Sequence, residues 1–240
     1  GLELAFDKWL TGEAGKKQVL KDLRGRIFKD VSLISEASAG NDIALSIDMR
    51  LQYLAYRELK EAVKAHKAKS GSVVLLDAKT GEVLAMVNQP SYNPNDRAGL
   101  KVNALRNRAM TDQFEPGSTM KPLTVMAALE SGRFNPDTKI DTNPGFLRVG
   151  KKTLLDPVNY GVMDVGKVIQ KSSQVGLTKI SLDLDGDAIR DMFFRVGLGQ
   201  ATGTGFPGEA VGVLPGYAKW QPIVQANFSF GYGISLTTLQ

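Results

Sequence analysis

The chain has 240 residues, 42% of them hydrophobic, enough for one substantial domain or for one domain and a fragment of a second. Its 30 basic and 25 acidic residues leave a net charge of +5 and are interspersed, so no block of one sign marks a nucleic-acid footprint. Cysteine is absent and histidine occurs once, which excludes disulfides, thiol nucleophiles and Cys- or His-rich metal sites. No apolar run reaches the roughly 18 residues of a membrane span, and the first residues do not read as a signal peptide. Chemistry must come from hydroxyls, amines, carboxylates and backbone.

The first 40 or so residues are rich in Gly and charge, with the turn Lys21-Asp22-Leu23-Arg24-Gly25-Arg26 between short apolar stretches. They read as short strands and loops of a separate substructure. A strand-like run, Ala44-Leu45-Ser46-Ile47-Asp48, ends in an N-cap for a helix that carries Leu51, Ala55, Leu59, Ala62 and Val63 on one face. His66, near the end of that helix among lysines, reads as a solvated side chain. Ser72 to Leu76 and Glu82 to Val87 flank the turn Asp77 to Gly81 as an antiparallel hairpin. An irregular loop with Asn88, Pro90, Asn93, Pro94 and Asn95 follows.

From Ser118 to Glu130 the chain is apolar around most of a helical circumference, and Gly132 supplies a stop. Val165 to Gln170 and Val175 to Leu184 read as two helical pieces interrupted at Lys171-Ser172-Ser173-Gln174; Asp187 to Val196 makes a third, closed by Gly197. Gly199 to Pro215 is loop by composition, and Ser235 to Gln240 resembles the opening of a further helix. No internal repeat is present. The order of strands and helices predicts an α+β or mixed α/β domain with a large helical half.

Two segments carry candidate chemistry. In Glu115-Pro116-Gly117-Ser118-Thr119-Met120-Lys121-Pro122, a Pro-Gly turn delivers a Ser and a Lys three residues apart to the start of the most apolar helix. Such positions share a helix face, and an amine whose proton is disfavoured by burial can activate a hydroxyl. Backbone N–H groups at the helix start could stabilise an oxyanion. The competing reading makes Ser118 a plain N-cap and lets Lys121 reach out to solvent. In the second segment, Ser172 and Gln174 lie two apart in a helix break; a hydroxyl and an amide there could relay a proton and hold a peptide carbonyl, or simply punctuate the helices.

An S-x-x-K motif followed some 50 residues later by an S-x-N-like motif resembles the penicillin-binding proteins and serine β-lactamases. Leu45-Ser46-Ile47-Asp48, Thr80-Gly81-Glu82-Val83-Leu84-Ala85-Met86, Tyr92-Asn93-Pro94-Asn95, Phe114-Glu115-Pro116-Gly117-Ser118 and Phe230-Gly231-Tyr232-Gly233 are similar to class B transpeptidases of septal cell division. The likeness runs over nearly the whole chain. It implies an α+β penicillin-binding transpeptidase fold, an antiparallel sheet with a helical subdomain, in which residues 1–43 are the remnant of a non-catalytic pedestal and 44–240 the N-terminal part of the transpeptidase domain.

By the same resemblance Ser118 is the acyl-accepting nucleophile, Lys121 its proton acceptor and Ser172 the relay to the leaving amine. Gln174 stands where the family usually has Asn, offering its amide to substrate with one more methylene. The implied substrates are peptidoglycan stem peptides ending in D-Ala-D-Ala; β-lactams are trapped at the same serine. The implied partners are division machinery including a glycan polymerase; no cofactor is implied. The implied location is the periplasmic side of the inner membrane, held by an anchor outside this chain. The family's third motif, K-[ST]-G, is not matched after Gln174, because Lys79-Thr80-Gly81 precedes Ser118 and reads as a turn. The fold is therefore expected to be incomplete at its C-terminal end, with an unpaired sheet edge and weak or no catalysis by the 240-residue chain. The alternatives are a β-lactam-hydrolysing or D-Ala carboxypeptidase enzyme, and a non-catalytic penicillin-binding sensor or scaffold.

Overall fold

The computed structural model describes residues 1–96, 98–99 and 101–240. Residues 1–43 hold two single-turn helices, α1 (Leu2–Ala5) and α2 (Asp7–Leu10), and an antiparallel hairpin of β1 (Lys16–Lys21) and β2 (Ile27–Ser35). The Asp22 carboxylate builds the hairpin turn by accepting from the N–H groups of Arg24 and Arg26 at 2.8 and 2.9 Å. None of its residues is fully buried. The short strands match expectation, whereas α1 and α2 are too short to leave a periodic signal.

Asp48 caps α3 (Met49–Ala65) as anticipated, its carboxylate accepting from the N–H groups of Arg50 and Leu51. His66 is the exposed C-cap. The helix lies on the hairpin of β3 (Gly71–Leu76) and β4 (Val83–Gln89). Leu59 and Val63 press so closely over Gly71 that a Cβ there would meet their methyls at 2.9 and 3.0 Å. The Asp77 carboxylate accepts from Lys79 and Thr80 N–H at 2.8 Å each, and Gly81 adopts φ +75°, so Lys79-Thr80-Gly81 is a turn.

The outer edge of β4 is not left bare. Asp48 N–H donates to the Leu84 carbonyl, Ser46 Oγ to that of Val83, and the Gln52 side-chain amide both donates to the Met86 carbonyl and accepts from its N–H. A helix side chain thus occupies the backbone groups that a further strand would take on that side. The run 44–48 lies against this edge without forming a regular strand.

The helical half follows. After the short α4 (Arg108–Thr111), the expected helix 118–130 divides into a 3-10 turn, Gly117–Met120, and α5 (Lys121–Glu130). Pro122 at its first turn has no N–H to donate, which suits the entry to α5. Short strands β5 (Lys139–Asp141), β6 (Phe146–Val149), β7 (Lys152–Leu155) and β8 (Val162–Asp164) pair as β5 with β8 and β6 with β7. Then come α6 (Val165–Gln170), α7 (Gln174–Asp183), α8 (Gly186–Arg195) and α9 (Pro222–Ser229).

The core sits among α5 to α9, where Val125, Val168, Leu177, Ile180, Ile189, Phe193 and Phe228 are buried. Phe193 and Phe228 stack with ring centres 5.1 Å apart. The circumference of α5 is less covered than its composition suggests, since Met126 stays 44% exposed. The expected helix at 235–240 is not formed. Ser235 and Leu236 instead pair as isolated bridges with Val213 and Phe114, which commits their backbone to extended geometry. Among the described residues no helix is long and apolar enough to cross a membrane.

Candidate active site

Three separate segments converge on one point, and local turn geometry places each. The first is the 3-10 turn after Pro116. Gly117 adopts φ +62°, the left-handed region that glycine tolerates without a Cβ penalty, and the turn presents Ser118 on the surface. Ser118 caps nothing, and among the described residues its hydroxyl has no hydrogen-bond partner. The plain N-cap reading therefore fails.

Lys121 points inward. It is 3% exposed, and its Nζ donates to the Ser172 carbonyl at 2.5 Å and to Ser172 Oγ at 2.9 Å. The ring of Phe230 lies 5.9 Å from the amine. Burial disfavours the ammonium and pushes the Lys121 pKa down, while the negative charge of Asp156 pushes it back up. A lysine so enclosed is not a surface residue trailing into water.

The second segment is the break between α6 and α7. Ser172 N–H donates to the Ile169 carbonyl and Ser173 N–H to that of Val168, the paired bonds of a Schellman helix stop. Ser172 occupies the left-handed position of that stop, at φ +51°, where glycine is the usual choice. Keeping a side chain there stores strain of about 1 kcal/mol or more, and the side chain kept is a hydroxyl facing the buried amine. Ser172→Gly is accordingly expected to raise stability by about 1 kcal/mol in urea unfolding.

Ser173, fully buried, caps α7: its Oγ accepts from Gly176 N–H at 2.8 Å and donates to Asp156 Oδ2 at 2.6 Å. Asp156 Oδ1 accepts from the N–H groups of Gln174 at 2.6 Å and Val175 at 3.2 Å. Gln174 is the first residue of α7, half-buried, and its side-chain amide has no partner among the described residues.

The third segment follows α9 and clamps the serine turn. Gly117 N–H donates to the Gly231 carbonyl, Gly233 N–H to Glu115 Oε1 at 2.9 Å, and Phe114 and Leu236 exchange both backbone bonds at 3.0 Å. Thr124 Oγ1 of α5 donates to the Ser229 carbonyl at 2.6 Å. Gly231 has φ +83°, and a Cβ on it would lie 2.7 Å from Gly117 N, inside any real contact. Gly231→Ala is expected to cost at least about 2 kcal/mol, measured by urea unfolding, and to displace the Ser118 turn.

Of the residues singled out from sequence, Lys121 and Ser172 meet directly. Ser118 opens on the turn that enters the lysine's own helix, and Gln174 stands one helical position beyond Ser173. The i, i+3 argument foresaw an amine approaching the Ser118 hydroxyl; the amine instead bonds a residue 51 positions away. Asp156, Ser173 and Gly231 went unnoticed as site residues. The signals for them were faint, an Asp before Pro157 and a serine doublet. Among the described residues no cluster of acidic or imidazole groups could hold a metal ion. Chemically the arrangement offers an exposed hydroxyl, a buried amine of lowered pKa, a second hydroxyl and an unpaired amide.

The family of the penicillin binding protein transpeptidase domain matches residues 71–240. Over 240 residues the chain is 48% identical to the peptidoglycan D,D-transpeptidase FtsI of Escherichia coli (strain K12), covering all of this chain and 40% of that protein. It is 41% identical over 242 residues to the probable peptidoglycan D,D-transpeptidase PenA of Neisseria gonorrhoeae, again with all of this chain and 41% of the relative. Among solved structures, the transpeptidase domain of Burkholderia pseudomallei penicillin-binding protein 3 superposes with a TM-score of 0.72 at 41% identity, covering 81% of this chain and 55% of that one. The chain spans about 40% of the length of these two curated relatives. By the family match across most of its residues, the chain belongs to the penicillin-binding protein transpeptidase family.

Proposed function

We propose that the protein is a peptidoglycan D,D-transpeptidase of septal wall synthesis that works through a Ser118 acyl-enzyme. The observation that carries this reading is the buried Lys121 amine, of lowered pKa, held on Ser172 at the foot of the turn that exposes Ser118. In the proposed cycle Ser118 Oγ attacks the carbonyl of the penultimate D-Ala and its proton passes to Lys121. The bond to the terminal D-Ala breaks, and the departing amine receives a proton by way of Ser172. An acceptor amine from a neighbouring stem peptide then attacks the Ser118 ester, returning the proton to the serine and forming the cross-link. Ser118 N–H, second in its turn, has no acceptor within that turn and is the natural donor to the tetrahedral oxyanion. Gln174 offers its amide to the peptide carbonyl.

Residues 1–43 are proposed as pedestal and 44–240 as part of the catalytic domain, a division supported by the exposed hairpin of the first segment. The proposed setting is the periplasmic face of the inner membrane, among division proteins that include a glycan polymerase. Denaturing mass spectrometry after exposure to penicillin tests the reading: one adduct is expected, on the peptide containing Ser118. A chain that stays unmodified, or is modified elsewhere, would refute it.

A further inference from the structure

Ser118, Lys121, Ser172 and Gln174 leave one ionised group near the site without a task. Asp156 follows β7, is 9% exposed, and gathers three donors, the Ser173 hydroxyl and the N–H groups of Gln174 and Val175. All three come from the turn that carries Ser172, and the N–H groups open α7, whose dipole favours an anion there. Because the Ser173 hydroxyl donates to Asp156, its lone pairs stay free to cap Gly176 N–H. The cap is tight: a Cβ on Gly176 would meet Ser173 Oγ at 3.0 Å and Val168 at 2.8 Å. The carboxylate therefore ties down the segment that must hold Ser172 at its left-handed φ of +51°.

Resting on the functional reading above, we propose that Asp156 is a positioning residue of this site: it clamps the Ser172-Ser173-Gln174 turn through Ser173 and the start of α7, and its charge acts on the Lys121 amine which that turn holds. The charged or titratable side chains on the segments around the amine are Asp156 after β7, Lys171 beside Ser172, Glu115 before the serine turn and Tyr232 beyond α9. Lys171 is exposed, and the Glu115 carboxylate is engaged by Gly233 N–H. Asp156 is the charge that acts on Lys121, in the direction of favouring the ammonium. The carboxylate thus works against the larger effect of desolvation, which makes the amine a base, and raises the pH at which the base becomes available.

The sign is testable. In chain labelled with 13C at the lysine ε-carbon, the Lys121 resonance is assigned by its loss in Lys121→Arg and followed through a pH titration. Asp156→Asn keeps an oxygen acceptor and removes the charge, so Lys121 is expected to titrate at lower pH than in the parent. The acid limb of penicillin acylation should move down with it. Ser173→Ala removes the side-chain arm of the clamp and keeps the charge, so acylation is expected to slow about tenfold with the lysine titration unmoved. If Asp156→Asn does not fold, Asp156→Ser removes the charge with a smaller polar side chain and gives the same comparison. An unchanged Lys121 titration in the neutral variant overturns the charge role, and unchanged acylation in Ser173→Ala overturns the clamp. If the parent takes no penicillin on Ser118, the functional reading falls by itself, and the titration still decides for or against Asp156.

Discussion

Ser118→Ala is expected to remove the penicillin adduct, and with it whatever acyl transfer from a thioester substrate the parent performs, with no measurable change in stability. The first part follows from the division of labour in nucleophilic catalysis. Once the atom that forms the bond is gone, the remaining groups retain binding and oxyanion stabilisation but nothing to carry the acyl group. The second part follows from the structure, in which Ser118 is exposed and its hydroxyl bonds nothing among the described residues. Surface changes of this kind stay within about 0.5 kcal/mol. Mass spectrometry and urea unfolding on the same sample separate the two. An adduct that survives the substitution would move the nucleophile elsewhere; a large loss of stability would make the turn structural.

Local signals were legible where local physics decides. The cap at Asp48, the hairpin around Gly81 and the stops at Gly132 and Gly197 depend on residues within a few positions of one another, and all form as read. The strands 139–141, 146–149, 152–155 and 162–164 have three or four residues each, too few for alternation to be visible. The helix at Pro222–Ser229 did carry a signal that was missed, a proline at its first turn and Gly231 just beyond its end. Within the site, Ser118, Lys121 and Ser172 stand out by spacing once the family pattern is known. Asp156 does not, because its task depends on three donors 17 to 19 residues away that only tertiary packing brings to it. The expected helix at 235–240 failed for a similar reason: long-range pairing with Phe114 and Val213 outweighed a weak local preference.

Lys121→Met is expected to lower acylation by at least about 1,000-fold and, in the same protein, to raise stability at neutral pH by about 1 to 2 kcal/mol. The rate falls because the group proposed to accept the Ser118 proton is removed. Stability rises because a thioether chain fills the stem's volume without an amine to desolvate, and replacing buried charged groups by packed apolar ones is often favourable. The two acceptors left behind belong to Ser172, which is exposed, so water can satisfy them. The pH dependence gives the argument a second handle. Folding lowers the Lys121 pKa from the ordinary 10.5, so the unfolded chain binds that proton more tightly. Parent stability therefore gains from this group as pH rises from the folded pKa towards 10.5, a gain the methionine variant lacks. All other groups being common to both chains, the variant's advantage should be largest at the acid end of that window and shrink on the way to its upper end. Urea unfolding of the pair at pH 7 and pH 10 reads this directly. A variant less stable than the parent, with a pH-independent difference, would mean that the lysine is held as a structural ion pair and not as a base.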